Sequence, residues 1–232
     1  MTTQEAPVES VEAEGRPDCW ERFDAYRKEV YAHPDGGQGL LKIYDNYSEN
    51  YNKDSVTLGY LGPANLAAVA SEYVTDKGAR ILDAASGAGM VGEELKRRGF
   101  TCVDALDPSQ DSIDYSKRHH SYTEHICDTL DEHQTKIKDD QYEAVVMCGA
   151  FGVPGHVTDI CFPEIIRIIK PDGYFLFTVG DHVLEKWSDK MDAAIDALKQ
   201  NGAWELIESR WVVYFTAYNE RAKVVVLRIN KK

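Results

Sequence analysis

The sequence predicts an α/β fold, doubly wound around a seven-stranded mixed sheet. Three observations carry this. From Lys77 onward, short apolar runs alternate with helix-patterned segments. One of them, "YEAVVMCGAF", is apolar without a break, as in a strand buried on both faces of a parallel sheet. The chain then closes on two strand-like runs joined around Asn219 and Glu220, a hairpin and therefore an antiparallel pair.

Each element has its own signal. Residues 1–16 carry glutamates and almost no large apolar side chain, the pattern of a disordered acidic tail. Trp20, Phe23, Tyr26 and Val30 then give a helical stripe. "HPDGGQG" (His33 to Gly39) breaks it. Pro63 suits the first turn of a further helix with Leu66, Val69, Ala70, Tyr73 and Val74 inward. Residues 17–76 thus form N-terminal helices, and 77–232 form the sheet domain. In that domain "RILDAA" is a strand, "MVGEELKRRG" a helix closed by Gly99, and "TCVDALD" a second strand. Ser109 caps the helix "SQDSIDYSKRHH". "EHICD" is a short strand, and "DICFPEIIRIIK" a helix with Pro163 near its start. "YFLFTVG" is a strand. Leu184 to Asn201 is a helix with Trp187, Met191, Ala194, Ile195 and Leu198 inward, closed by Gly202. "SRWVVYFTAY" and "AKVVVLRIN" form the hairpin.

Composition narrows the function. The 232 residues hold 26 Lys+Arg against 39 Asp+Glu, a net charge of -13, which disfavours a nucleic-acid partner. No apolar run reaches membrane-span length, and the five cysteines are scattered without a C-x-x-C pair. A reducing, cytoplasmic setting is the expectation. His119, His120, His125 and His133 lack the spacing of a zinc set, so no metal is expected. Oligomeric state is left open.

The chemistry centres on "ILDAASGAGMVGEEL". Gly87, Gly89 and Gly92 form G-x-G-x-x-G between a strand and a helix, the context of a nucleotide-binding turn. Asp107 ends the next strand, near the offset of an acid that holds a ribose diol. Yet Asp83 precedes the loop. A carboxylate there would repel a pyrophosphate; two unit charges about 4 Å apart interact by roughly 4 kcal/mol at an intermediate dielectric. S-adenosylmethionine has a ribose, a sulfonium and an ammonium group but no phosphate, and it suits both features. An NAD-dependent oxidoreductase is disfavoured on the same ground.

"LDAASGAG" resembles the first motif of the class I S-adenosylmethionine-dependent methyltransferases, with a Rossmann-like sheet. "YDNYSENYNKDSVTLGY", "GEELKRRGF", "CGAFGVPGHV" and "KPDGYFLFTV" are similar to the methyltransferase-like family of the Williams–Beuren syndrome region, over about residues 40–232. The resemblance implies a cofactor site. Asp83 would serve the methionine end, and Ala85, Gly87 and Gly89 the close backbone contacts. Asp107 would accept from both ribose hydroxyls, and Pro108 would pack beside the adenine. Cys127, Asp128 and Thr129 would border the adenine. Cys148 and Gly149 would line the methyl-transfer face, and Tyr44 and Tyr51 would close over the cofactor. His156 is the candidate catalytic side chain, from a loop that also suits an exposed histidine.

Three readings stay open on the residues. Asp107 also suits a strand-ending turn and Asp128 a solvated loop. Tyr44, Tyr47 and Tyr51, at i, i+3 and i+7, also suit a helix face in the core. The expectation is methyl transfer, in line, to a small molecule or peptide; the alternative is a silent S-adenosylmethionine-binding protein. The stretch from Gln38 to Asp54 is expected to be a helical lid over the methionine end.

Overall fold

The computed structural model describes residues 18–33, 36–153 and 155–231, without the side chains of residues 48, 49, 187 and 188. The expected acidic tail, the middle of "HPDGGQG" and the inward side chain of Trp187 lie outside the described residues.

Seven strands form one sheet: β1 (Arg80–Ala84), β2 (Cys102–Asp107), β3 (His125–Cys127), β4 (Tyr142–Met147), β5 (Ile169–Gly180), β6 (Trp204–Phe215) and β7 (Glu220–Ile229). Their spatial order is β3-β2-β1-β4-β5-β7-β6. The first five run parallel, and β7 is antiparallel to both β5 and β6. This is a Rossmann-like mixed sheet, as the sequence predicts. The order reverses between β1 and β4, so a crevice opens beyond their carboxyl ends.

Helices cover both faces: α1 (Asp18–Tyr31), α2 (Gly37–Thr57), α3 (Gly62–Tyr73), α4 (Met90–Arg97), α5 (Gln110–Lys117), α6 (Phe162–Ile168) and α7 (Asp181–Gln200). One core joins β1, β4, β5 and β7 to α6 and α7, with Trp204 and Phe162 fully buried. The other joins the sheet to α3 and α4 through Leu66, Val69, Ile81 and Leu95. A third, aromatic cluster packs α1 and α2 against the β6–β7 turn.

Local chemistry sets the boundaries. Ser109 Oγ accepts the Ser112 N–H at 3.0 Å and so caps α5. Gly99, at φ 88°, lets the end of α4 close on itself. Its N–H donates to Lys96 O at 2.9 Å, and the Phe100 N–H donates to Leu95 O at 3.1 Å.

Several elements differ from the sequence expectation. α2 begins at Gly37, so the glycines read as a break partly enter the helix. α7 begins at Asp181 rather than Leu184. β5 begins at Ile169, because the chain pairs Tyr142 with Ile169 before an irregularity in which Asp172 has φ 61°. β6 starts five residues earlier than expected, at Trp204. It is an edge strand whose early residues face solvent, so charge hides the alternation.

The helices α1 and α2 are joined by one buried acid. Asp54, fully buried on α2, accepts from Arg22 Nε at 3.1 Å and from Tyr47 Oη at 2.6 Å. Arg22 adds a second bond at 2.8 Å and remains half-exposed. Burial pushes the Asp54 carboxyl up, but these donors outweigh it and hold it below its usual value. Its stabilising effect is therefore present above the ordinary carboxylate range and is lost as acid protonates it. Asp54→Ala should destabilise the protein by about 2–3 kcal/mol, since it strands Tyr47 and Arg22. Urea unfolding at pH 7 measures this, and an unchanged midpoint would refute the link.

Candidate active site

β1 ends at Ala84, and the chain turns sharply through residues 85–89 before α4. Ala85 has φ 54°, a left-handed conformation that costs a residue with a side chain roughly 1–2 kcal/mol. Gly87 follows at φ 50°, and a Cβ added there would meet nothing within 4 Å. Its backbone thus faces open space. Gly92 is needed for a different reason: a Cβ would stand 2.3 Å from the Tyr122 ring.

Asp107 holds the loop from the end of β2. Its Oδ2 accepts the Gly87 N–H at 2.8 Å and its Oδ1 the Ser109 N–H at 2.9 Å. Burial raises its carboxyl to about 6, although both backbone donors act in the opposite sense. Ser109 in turn donates to Asp45 Oδ1 on α2 at 2.6 Å.

Asp83 lies behind the loop. It is 1% exposed, and its Oδ2 accepts from Tyr122 Oη at 2.5 Å. Tyr122 Oη accepts the Gly92 N–H at 3.2 Å. Asp83 Oδ1 is buried without a hydrogen-bond partner among the described residues. Burial raises this carboxyl to about 7, and the nearby Asp107 adds to the rise.

A cavity of about 360 Å³ opens above the ends of β1, β2 and β4 and beneath α2. Ten residues picked out in the sequence line it: Tyr44, Tyr51, Ala85, Gly87, Asp107, Pro108, Thr129, Cys148, Gly149 and His156. Asp83, Gly89, Cys127 and Asp128 do not. Cys127 is exposed on β3 beside Asp107 and its Sγ lies 3.6 Å from Pro108 O. Asp128 Oδ1 lies 3.1 Å from His133 Nε2 and accepts the Thr129 N–H at 2.9 Å.

The aromatic helix face serves two surfaces at once. Tyr47 stacks on Tyr26 at 4.4 Å and bonds Asp54, while Tyr44 bonds His156 Nε2 across the cavity. Burial raises the hydroxyls of Tyr44 and Tyr51 above their ordinary range, so both remain neutral. Cys148 accompanies Tyr60 Oη at 3.2 Å, and burial pushes its thiol up to about 11. It is therefore held as the thiol at pH 7.

Sequence reasoning missed other wall residues: Ser109, Asp131, Leu40, Leu41 and Ile160 among them. Ser109 carried a signal, because a cap directly after an acid-ended strand must border the same crevice. The apolar residues carried none. Among the described residues no three of His, Cys, Asp or Glu converge as a metal would require, and no helix is long and apolar enough to cross a membrane.

Comparison with known proteins agrees with this geometry. Residues 81–173 match the family described as "Methyltransferase domain". The human methyltransferase-like protein 27 is 27% identical over 168 residues, covering 71% of this chain and 68% of that protein. A TehB-like S-adenosylmethionine-dependent methyltransferase from Corynebacterium glutamicum superposes with TM-score 0.56 at 24% identity, over 81% of this chain and 99% of that one. A methyltransferase from Aquifex aeolicus superposes with TM-score 0.59 at 14% identity, over 80% and 98%. These two likenesses show the fold. The domain match runs from β1 into β5, the part of the sheet that carries the loop and the cavity.

Proposed function

We propose that the cavity under α2 binds S-adenosylmethionine and that the chain transfers its methyl group, in line, to a small molecule or peptide. The carrying observation is Asp107, fixed at the end of β2 by the Gly87 and Ser109 N–H groups at 2.8 and 2.9 Å. Each carboxylate oxygen keeps lone-pair capacity for a ribose hydroxyl. The residues present fit this ligand in three further ways. Gly87 leaves open space where a side chain would stand. Ser86 Oγ is buried beside it with no hydrogen-bond partner among the described residues. Two buried carboxyls, Asp83 and Asp107, favour a cation over a pyrophosphate.

In this reading Asp107 accepts from the ribose hydroxyls and Pro108 packs beside the adenine. Thr129 borders the adenine directly, with Cys127 and Asp128 behind it. Asp83 acts on the methionine end through the loop that Tyr122 and Gly92 brace. Tyr44 and Tyr51 cover that end with neutral rings, whose faces attract a sulfonium. Cys148 and Gly149 lie at the methyl-transfer face. When bound, the sulfonium supplies an electrophilic methyl carbon. The chain's task is to hold an acceptor lone pair about 3–3.5 Å from it and to exclude water. His156, steered by Tyr44, is the side chain placed to accept a proton from an acceptor that carries one.

Calorimetry should find S-adenosylmethionine and S-adenosylhomocysteine bound in the micromolar range, about −8 kcal/mol at 1 μM, and NAD unbound. Tight NAD binding without a response to S-adenosylhomocysteine would overturn the proposal. Asp107→Ala should cost about 1.5–3 kcal/mol of that affinity.

The same affinity should depend on pH. The free carboxyl titrates near 6, and only its ionised form accepts two hydroxyl hydrogen bonds. Binding therefore strengthens as pH rises through 6 and weakens about tenfold for each pH unit below it. Asp107→Asn should flatten this limb; a profile identical to wild type would assign it to another group.

α2 is proposed as a lid. Hydrogen exchange across residues 40–51 should slow when S-adenosylhomocysteine is added, and equal protection with and without it would make the helix permanent cover.

A further inference from the structure

A second cavity, about 90 Å³, lies against the first. Tyr26, Tyr44, Tyr51, Tyr60 and Gly149 line both, so the two share a wall at the end proposed for methyl transfer. The far wall of the smaller one is built by α1, the start of α7 and the β6–β7 turn. Ionisable groups meet there. Arg27 on α1 bonds Glu220 Oε1 at 2.8 Å and also lies 5.0 Å above the Tyr218 ring. Glu220 Oε2 is buried and has no hydrogen-bond partner among the described residues. Opposite, His182 Nε2 lies 2.5 Å from Tyr31 Oη, while its Nδ1 is also buried with no hydrogen bond among the described residues. Asp181 Oδ1 lies 3.7 Å from that nitrogen, beyond hydrogen-bond reach. Burial pushes the imidazole down, so it is neutral at pH 7.

A buried carboxylate oxygen left without a partner beside a cavity is a costly feature unless something visits it. The missing partner is a donor. Arg27 is already engaged by Glu220 and Tyr218, so the open valence is that of the acid. His182 can add a second acceptor at Nδ1 by donating Nε2–H to Tyr31. The remaining walls are largely aromatic, and ring faces favour a cation over an anion. The volume suits a head of a few heavy atoms, since a water's share of liquid is about 30 Å³.

Resting on the methyltransferase reading of the larger cavity, we propose that this smaller cavity is the acceptor subsite and that it takes the head of a small aliphatic amine. The acceptor releases its ammonium proton to water before closure. Its nitrogen lone pair forms the C–N bond as the C–S bond breaks, with that electron pair remaining on sulfur. The product leaves as the methylated ammonium. Positive charge thus grows on nitrogen during transfer, where Glu220 Oε2 and the rings stabilise it.

Three probes of one size decide this: n-butylamine, n-butanol and butyrate. Each is titrated by NMR into the whole chain, alone and loaded with S-adenosylhomocysteine. The amine should bind at least tenfold more tightly than the other two. Glu220→Gln should reduce that preference below twofold, with the affinity for S-adenosylhomocysteine within twofold of wild type. The double variant Arg27→Gln with Glu220→Gln leaves no unpaired charge and should behave in the same way if the single variant folds poorly. Preference for butyrate, absence of discrimination, or a preference that survives in both variants would overturn the inference. Discrimination without S-adenosylhomocysteine binding would sink the cofactor reading alone. S-adenosylhomocysteine binding without amine capture would sink only the acceptor subsite.

Discussion

Two carboxyls are buried at the carboxyl ends of adjacent parallel strands, and the loop, the helices and the cavity are arranged around them. Asp83 on β1 pairs in register with Ala105, two residues before Asp107 on β2. Parallel register therefore brings both acids to one edge of the crevice. Burial alone would protonate them. Two backbone N–H groups offset that at Asp107, whereas Asp83 has the Tyr122 hydroxyl and, among the described residues, an Oδ1 with no hydrogen-bond partner. Burial thus raises both carboxyls, Asp107 to about 6 and Asp83 to about 7.

The aromatic N-terminal layer follows from that constraint. A crevice with two acids at its base strengthens charge selection only if water is kept out. α2 provides the cover, and Asp54 fastens it to α1 through Arg22. A second tie runs to the base itself, because Asp45 on α2 accepts from Ser109, whose N–H binds Asp107. The cover and Asp107 are therefore connected by two hydrogen bonds through Ser109.

The sheet was legible in the sequence because its strands are short, apolar and separated by strong stops. Gly99 and Ser109 mark their helix boundaries by backbone conformation and by a side-chain cap, and both operate as read. β6 was read short because an edge strand has one solvated face, and Glu205 and Glu208 serve ion pairs there rather than the core. In the site, Asp107 was legible because a parallel sheet sends strand ends toward one crevice, although Asp83 and Cys127, also near strand ends, do not line the cavity. Leu40, Leu41 and Ile160 were not, since an apolar wall residue has the same sequence signature as a core residue.

The least legible part is the meeting of Arg27, His182 and Glu220. Arg27 and Glu220 are separated by 193 residues, and each alone reads as a solvated surface charge. Only the topology unites them: β7 inserts between β5 and β6, which carries the hairpin turn back over the carboxyl end of β5. α1 then packs on that turn through Phe23 and Phe215, 5.4 Å apart. The antiparallel end of the sheet thus has a consequence beyond closing the fold. It places a charged, part-buried wall beside the parallel-sheet crevice, where a purely parallel sheet of this order would leave an open edge.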